Sequence, residues 1–173
     1  MKISFRCFFP FLFLLLTCTV LLGCSKKEAA LGHAALNKPA PMFSLLDTQG
    51  KRFDLTAMQG KVVFVNFWAT WCPPCRAEMP SIMRLSRMMA GKPFTLVTIL
   101  MNDDPANANA FYKVIGGSLR TLLDPNQKVG NAYGITGVPE TYIIDKQGIL
   151  RKKFIGGWSW DSPEAVNLIN QYL

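Results

Sequence analysis

VVFVNFWATWCPPCRAEMP, residues 62–80, decides how this chain is read. Its first six residues are β-branched and aromatic, apolar except for Asn66. That is the composition of a short central strand buried on both faces. A helix is expected to begin around Cys72. Pro73 and Pro74 are tolerated in a first turn, where backbone amides have no helical partner. Met79, Ile82, Met83, Ser86 and Met89 then recur at helical spacing and read as core packing. Pro80 lies inside this helix and predicts a kink. Gly91 stops it. The strand therefore delivers Cys72 to a helix start, with Cys75 one turn in.

Two cysteines so spaced can bind metal, brace the fold or do chemistry. Zinc normally takes four ligands, often from two such pairs. There is no second CxxC, and the one histidine, His33, lies far upstream. A copper-delivery site would want a histidine late in the chain, and none follows residue 33. A disulfide between Cys72 and Cys75 closes a tiny loop and removes little chain entropy, so it is a poor brace. Chemistry remains. A thiolate at Cys72 faces unpaired backbone N–H groups and the positive end of the helix dipole. Its pKa is expected to fall below the free value of about 8.5. Cys72 can attack a substrate disulfide, and Cys75 can resolve the mixed disulfide.

Outward from this segment the chain alternates strands and helices. MFSLLD and KRFDL flank Thr48-Gln49-Gly50, a hairpin with glycine at the turn. FTLVTIL, residues 94–100, is the next buried strand. Asp103-Asp104-Pro105 opens a helix that Gly116-Gly117 closes. TLLD is a short strand, and PNQKVGNAYG a short helix ended by Gly134. TYIID and ILRKKF form a hairpin about Gln147-Gly148. Asp161-Ser162-Pro163 caps a last helix. The order ββ-βα-βα-βα-ββ-α predicts an α/β domain with a sheet covered on both faces. Trp158 and Trp160, in a glycine-rich loop, are expected to pack under the last helix.

The first residues set the compartment. The chain has 173 residues, enough for one ordinary domain, and half are hydrophobic. Residues 1–23 carry Lys2 and Arg6 and then a nearly unbroken apolar run to Leu22. This is the pattern of a secretory signal peptide, with a retained anchor as the alternative. Pro10 interrupts the run, which is shorter than the ~20 apolar residues of a comfortable span. Leu21-Leu22-Gly23-Cys24 resembles a bacterial lipobox, which implies cleavage before Cys24 and lipid on its sulfur. Such chains gain ~0.8 kcal/mol per buried CH₂, enough together to hold a protein on a membrane. Cys7 and Cys18 leave with the signal. Residues 24–41, Ala-rich and then Pro-rich, read as a lipidated tether, and 42–173 as the domain. His33 is a solvated tether residue.

The formal charge is +8; removing Lys2 and Arg6 from 19 basic residues leaves 17 against 11 acidic, a net +6. The basic residues are scattered, and Arg151-Lys152-Lys153, the densest cluster, reads as a solvated face. No basic motif with interleaved aromatics points to nucleic acid.

Gly137-Val138-Pro139-Glu140-Thr141 is the second informative segment. A cis Val138–Pro139 bond would turn the Val138 backbone toward the cysteines. A trans proline opening an edge strand fits the local residues equally well.

WCPPC after VVFVNFWAT, Pro80 eight residues beyond Cys72, and GVPETYIID together resemble the thioredoxin superfamily. More narrowly they resemble its extracytoplasmic branch of TlpA, ResA and the CcmG/DsbE reductases of cytochrome c maturation. The match covers roughly residues 39–173. The resemblance implies a thioredoxin fold, a central mixed sheet flanked by helices, with residues 42–55 as an N-terminal hairpin. It also implies a central αβ insertion between about Asn102 and Leu123. Cys72 would be the nucleophile, Cys75 the resolving thiol and Pro139 the cis proline. Asn66 stands where cytoplasmic thioredoxins carry a buried aspartate. Glu78 matches the branch's active-site glutamate, and Glu140 a second acid near the site.

Glu78 lies one turn beyond Cys75. A partly buried carboxyl there would have a raised pKa and could exchange a proton with Cys75. An exposed glutamate paired with Arg76 or Arg84 is the alternative. Glu140 divides between substrate contact or pKa tuning and a surface role. Trp71, Pro73, Val138 and Pro139 are the expected substrate contacts, Trp71 as a flat apolar one.

The expected function is a membrane-anchored, periplasmic thiol–disulfide oxidoreductase that reduces protein disulfides. Its active group is the Cys72–Cys75 pair, without metal or other cofactor. The resemblance implies apocytochrome c as client and a membrane electron donor of the DsbD or CcdA kind. A monomer is expected, with no nucleic-acid partner. An oxidase or isomerase, and a metal chaperone using both thiols, are the alternatives.

Overall fold

The computed structural model describes residues 34–173, and a strand of seven buried residues, β3 (Val62–Trp68), runs through their centre. Residues 1–33 lie outside that description. With them go the signal sequence, the lipobox at Cys24 and His33. Two strands precede β3: β1 (Ser44–Leu46) and β2 (Arg52–Asp54). After it come α1 (Pro73–Met88), β4 (Phe94–Leu100), α2 (Pro105–Ile115), β5 (Thr121–Leu123), α3 (Lys128–Tyr133), β6 (Glu140–Ile144), β7 (Leu150–Ile155) and α4 (Pro163–Asn170). The main sheet has the order β5-β4-β3-β6-β7. The β3–β4 and β4–β5 pairs are parallel, crossed by helices; β3–β6 and β6–β7 are antiparallel. This is the thioredoxin fold, with α2 and β5 as the central addition and β1–β2 as the N-terminal hairpin.

Strand alternation divides the core in two. Val63, Val65 and Phe67 face the hairpin and α3, packing on Phe43, Phe53 and Tyr133. Val62, Phe64 and Trp68 face α1, α2 and α4, packing on Met79, Ile82, Tyr112 and Ile169. Asn66 falls on the α1 side by the same parity. Register sets Asn66 opposite Thr141 on β6 and Thr98 on β4, with Thr98 opposite Thr121 on β5. A buried polar row therefore crosses four strands under the helices.

Local chemistry fixes the ends of the elements. The Asp47 carboxylate accepts the Gln49 and Lys51 N–H groups in the hairpin turn, and Gly50 takes φ +75°. Asp104 and Ser162 cap α2 and α4, each followed by proline. A 3₁₀ turn at Leu55–Met58, absent from the sequence reading, begins where Asp54 caps Thr56.

One boundary moves. Residues 34–41, read as part of the tether, lie against the domain. The Ala34 N–H donates to the Ala132 carbonyl, Asn37 N–H and Lys38 carbonyl both bond Leu150, and Ala40 N–H donates to Gly148. Ala40 is buried. Ala and Pro suggest a linker by composition, but backbone hydrogen bonds to Gly148 and Leu150 hold this segment against the β6–β7 hairpin.

Candidate active site

Cys72 is the N-cap of α1. Its extended backbone (φ −93°, ψ 109°) leaves Sγ over the first turn, where it accepts the Cys75 N–H at 3.2 Å. The two sulfurs are joined in a disulfide, with Cα atoms 5.3 Å apart. Cys72 keeps 3% of its surface and Cys75 none. The Val138 carbonyl oxygen lies 3.4 Å from Cys72 Sγ, and the Val138–Pro139 bond is cis. Pro139 is buried and Val138 half-buried; Pro73 and Trp71 are exposed. Trp71 is tethered by its indole N–H, which donates to the Asn102 carbonyl at 3.1 Å.

Asp103 holds the loop before the cysteines. Its carboxylate accepts both the Thr70 N–H and the Thr70 hydroxyl, and also bonds Asn107 and the Asp104 N–H. Burial opposes the charge, but these bonds outweigh it and hold the carboxyl below the ordinary range.

Glu78 is 4% exposed, so the reading as a surface glutamate paired with Arg76 or Arg84 does not hold. Arg84 pairs with Asp161, and Arg76 lies over the Phe111 ring. The Glu78 carboxyl takes three donors instead. Asn66 Nδ2 reaches Oε1 at 2.9 Å; the Trp158 N–H and Trp160 Nε1–H reach Oε2 at 3.1 and 3.0 Å. Burial raises its proton affinity above the ordinary carboxylate range, and the three donors oppose that rise. Ser81 completes the shell, donating to the Glu78 carbonyl and accepting the Trp160 N–H. An open cleft of about 400 Å³ between Pro74, Ala77, Ser81, Arg84 and the 157–159 loop reaches Glu78. A Cβ on Gly157 would lie 3.3 Å from the Pro74 carbonyl oxygen, so glycine lets this loop close on α1. Larger hollows of about 660 and 470 Å³ flank the hairpin and are lined by none of these residues.

Glu140 is placed otherwise than a substrate contact requires. It is 1% exposed and its carboxylate meets Lys153 Nζ at 2.8 Å and the Tyr142 hydroxyl at 2.9 Å. Strand parity turns Glu140 and Tyr142 toward the hairpin face, away from Glu78. Trp160 and Thr141 were not foreseen in the site. Trp160 does pack, edge-on to Phe64, but it also donates to Glu78. No local pattern announces that contact. The signal for Thr141 was Asn66, a lone amide in an apolar strand that needs polar neighbours.

Among the described residues no three His, Cys, Asp or Glu side chains are grouped to hold a metal ion. The arrangement offers a dithiol at a helix N-terminus, a backbone carbonyl beside it, and a buried acid of raised proton affinity. That is the equipment of thiol–disulfide exchange with proton transfer.

Comparison with known proteins agrees. The Redoxin family model matches residues 35–169. Thiol-disulfide oxidoreductase ResA of Geobacillus thermodenitrificans is 34% identical over 122 residues, 70% of each chain. Thiol:disulfide interchange protein DsbE of Allochromatium vinosum is 34% identical over 148 residues, 84% of this chain and 80% of the relative. A crystal structure of a thioredoxin-family thiol:disulfide interchange protein from Chlorobium tepidum superposes with TM-score 0.68 and 32% identity. It covers 78% of this chain and 97% of its own. With a dithiol on a helix cap and relatives of this kind, the chain belongs to the Redoxin family and is a thiol–disulfide oxidoreductase.

Proposed function

We infer that the protein reduces disulfides in client proteins outside the cytoplasm, held to a membrane by lipid on Cys24. The observation that carries the chemistry is the pairing of a capped Cys72 with a fully buried Cys75. A client sulfur can reach only Cys72. Cys72 thiolate attacks the client disulfide; Cys75 then displaces the client sulfur and closes the Cys72–Cys75 bond. Trp71, Pro73 and the Val138 carbonyl form the docking ledge for an extended client segment, with Pro139 fixing Val138. Glu78 takes the Cys75 proton in the resolving step. The reaction uses no cofactor beyond the disulfide, and the protein acts as a monomer.

The apocytochrome c haem-binding CxxCH pair fits as client, and a membrane donor of the DsbD or CcdA kind as electron source. The resemblance to ResA and DsbE supports both. Trapping tests the client: Cys75→Ser should accumulate a mixed disulfide through Cys72, and a CxxCH peptide should compete for it. The potential tests the direction. A value near that of thioredoxin, about −270 mV, supports a reductase; one near that of DsbA, about −120 mV, makes the protein an oxidase. Copper or zinc bound stoichiometrically by the reduced protein would turn the reading to a metal chaperone.

A further inference from the structure

The two oxygens of Glu78 meet different kinds of partner. Oε2 receives the Trp158 N–H and the Trp160 Nε1–H. Both groups can only donate. A proton on Oε2 would face two hydrogens, so this oxygen stays an acceptor in either form of the carboxyl. Oε1 lies 2.9 Å from one end of the Asn66 amide, and that same end lies 2.9 Å from Thr141 Oγ1. An amide has two donors at one end and an acceptor with two lone pairs at the other; a hydroxyl serves either way. The opposite end of the amide, Oδ1, is buried with no hydrogen-bond partner among the described residues. Turning the amide over therefore breaks no bond at that end. Strand register already sets Asn66 against Thr141, so the backbone need not move.

We propose that Asn66 and Thr141 are a proton-linked switch on Glu78, with the proton carried on Oε1. Facing the carboxylate, the Asn66 amide gives its two N–H bonds to Oε1 and Thr141. When Glu78 is protonated, the amide turns and its oxygen accepts from the Oε1 hydroxyl and the Thr141 hydroxyl. The inference rests on the reading of Glu78 as proton acceptor for Cys75. In that step the Cys75 thiol gives its proton to Glu78 and its sulfur bonds Cys72 Sγ. The Cys72–client bond breaks, and its electron pair leaves on the client sulfur. No outside oxidant or reductant enters. Asn66 acts through Glu78 and is a positioning residue. Held fixed, the Asn66 amide would oppose the proton as Trp158 and Trp160 do. Turning removes most of that preference, although its N–H end then lies where Oδ1 had no partner, so Asn66 favours the charged form less than Trp160 does.

Few charges face Glu78. On its own helix these are Cys75, one turn before it, and Arg84, the latter at the cleft mouth and paired with Asp161 from the loop after β7. β3 and β6 present neutral Asn66 and Thr141. Glu140 and Lys153 pair with each other on the far face. With the disulfide closed the thiols are silent, and Glu78 can be titrated alone. The experiment is a pH titration of the oxidised full chain, following the Glu78 carboxyl carbon and the Asn66 side-chain nitrogen by NMR.

The Asn66 amide signals should move with the Glu78 midpoint. Asn66→Leu should leave that midpoint within about 0.3 pH unit, whereas Trp160→Phe should raise it by about one unit, tenfold in proton affinity. A shift in Asn66→Leu as large as in Trp160→Phe makes Asn66 a fixed donor and overturns the switch. So do Asn66 signals that stay still while Glu78 titrates, a readout that needs no variant to fold. Resolution rates of Glu78→Gln test the reading beneath. An unchanged pH profile removes Glu78 from the reaction, and with it the switch from catalysis, while the signals still decide whether the amide turns.

Discussion

Glu78 is a carboxyl whose charge the fold tolerates at a cost. Its proton affinity in the native state lies above the ordinary value of 4.5 because burial outweighs three donors. Between that value and the raised one, the native chain holds more protons than the unfolded chain. Stability is therefore fullest below this window and falls as pH rises through it. Denaturant midpoints measured from about pH 4 to 8 should show that slope, and Glu78→Gln should flatten it. The cysteines give a second expectation at this scale. In reduced protein, Cys75→Ser should keep a thiol that reacts quickly with iodoacetamide, and Cys72→Ser should lose it, because Cys75 has no exposed surface. Roles carried by neighbours in sequence were legible: the helix start makes Cys72 the outer sulfur and Cys75 the inner. The partners of Glu78 were not. Trp160 stands 82 residues away, and nothing in its loop encodes a hydrogen bond to α1. Glu140 shows a different gap. The β6–β7 register sets it opposite Ile155, with Lys153 two residues off on the same face, so its ion pair needed the hairpin register rather than the motif.

Elements came through well because their signals are periodic or punctuated. The run of β3, the Asp-Pro and Ser-Pro caps and the glycines at Gly116 and Gly134 all mark ends that the structure keeps. The 3₁₀ turn and the strap at 34–41 carry no period; the turn is a single local cap at Asp54, and the strap bonds the distant Ala132, Gly148 and Leu150. The joint between β3 and α2 is the element-scale feature with most bearing on the site. Asp103 at the start of α2 gathers the Thr70 backbone and hydroxyl just before the cysteines. Asp103→Ala leaves the Thr70 N–H unmet and should cost about 1–3 kcal/mol in denaturant unfolding at neutral pH. Faster hydrogen exchange at Thr70 and Trp71 should accompany it. Since the Asp103 carboxyl is held below its ordinary 3.8, its contribution is present above that value and is lost as pH falls through the lowered one.

For the molecule as a whole, one parity rule organises the chemistry. Even-numbered residues of β3 face α1, so Asn66 meets Glu78 while Phe67 fills the opposite core. The disulfide, by contrast, does little for the whole. A bridge spanning three residues constrains the unfolded chain by roughly 2 kcal/mol, against about 4.7 for a loop of a hundred. Reduction should therefore lower global stability by no more than about that amount, as read by unfolding of both redox forms in the same denaturant series. The molecule can cycle between states without coming apart.

The loop that carries Trp158 and Trp160 has a consequence in time. These two residues leave the ribosome well after Cys72, Cys75 and Glu78 have been made. Until they arrive and lock onto the first long helix, the acid has nothing to hold Oε2, and its grip on hydrogen is that of an immature pocket. A growing chain thus carries both sulfurs before it is fit to use them, so competence waits on the last segment to be made.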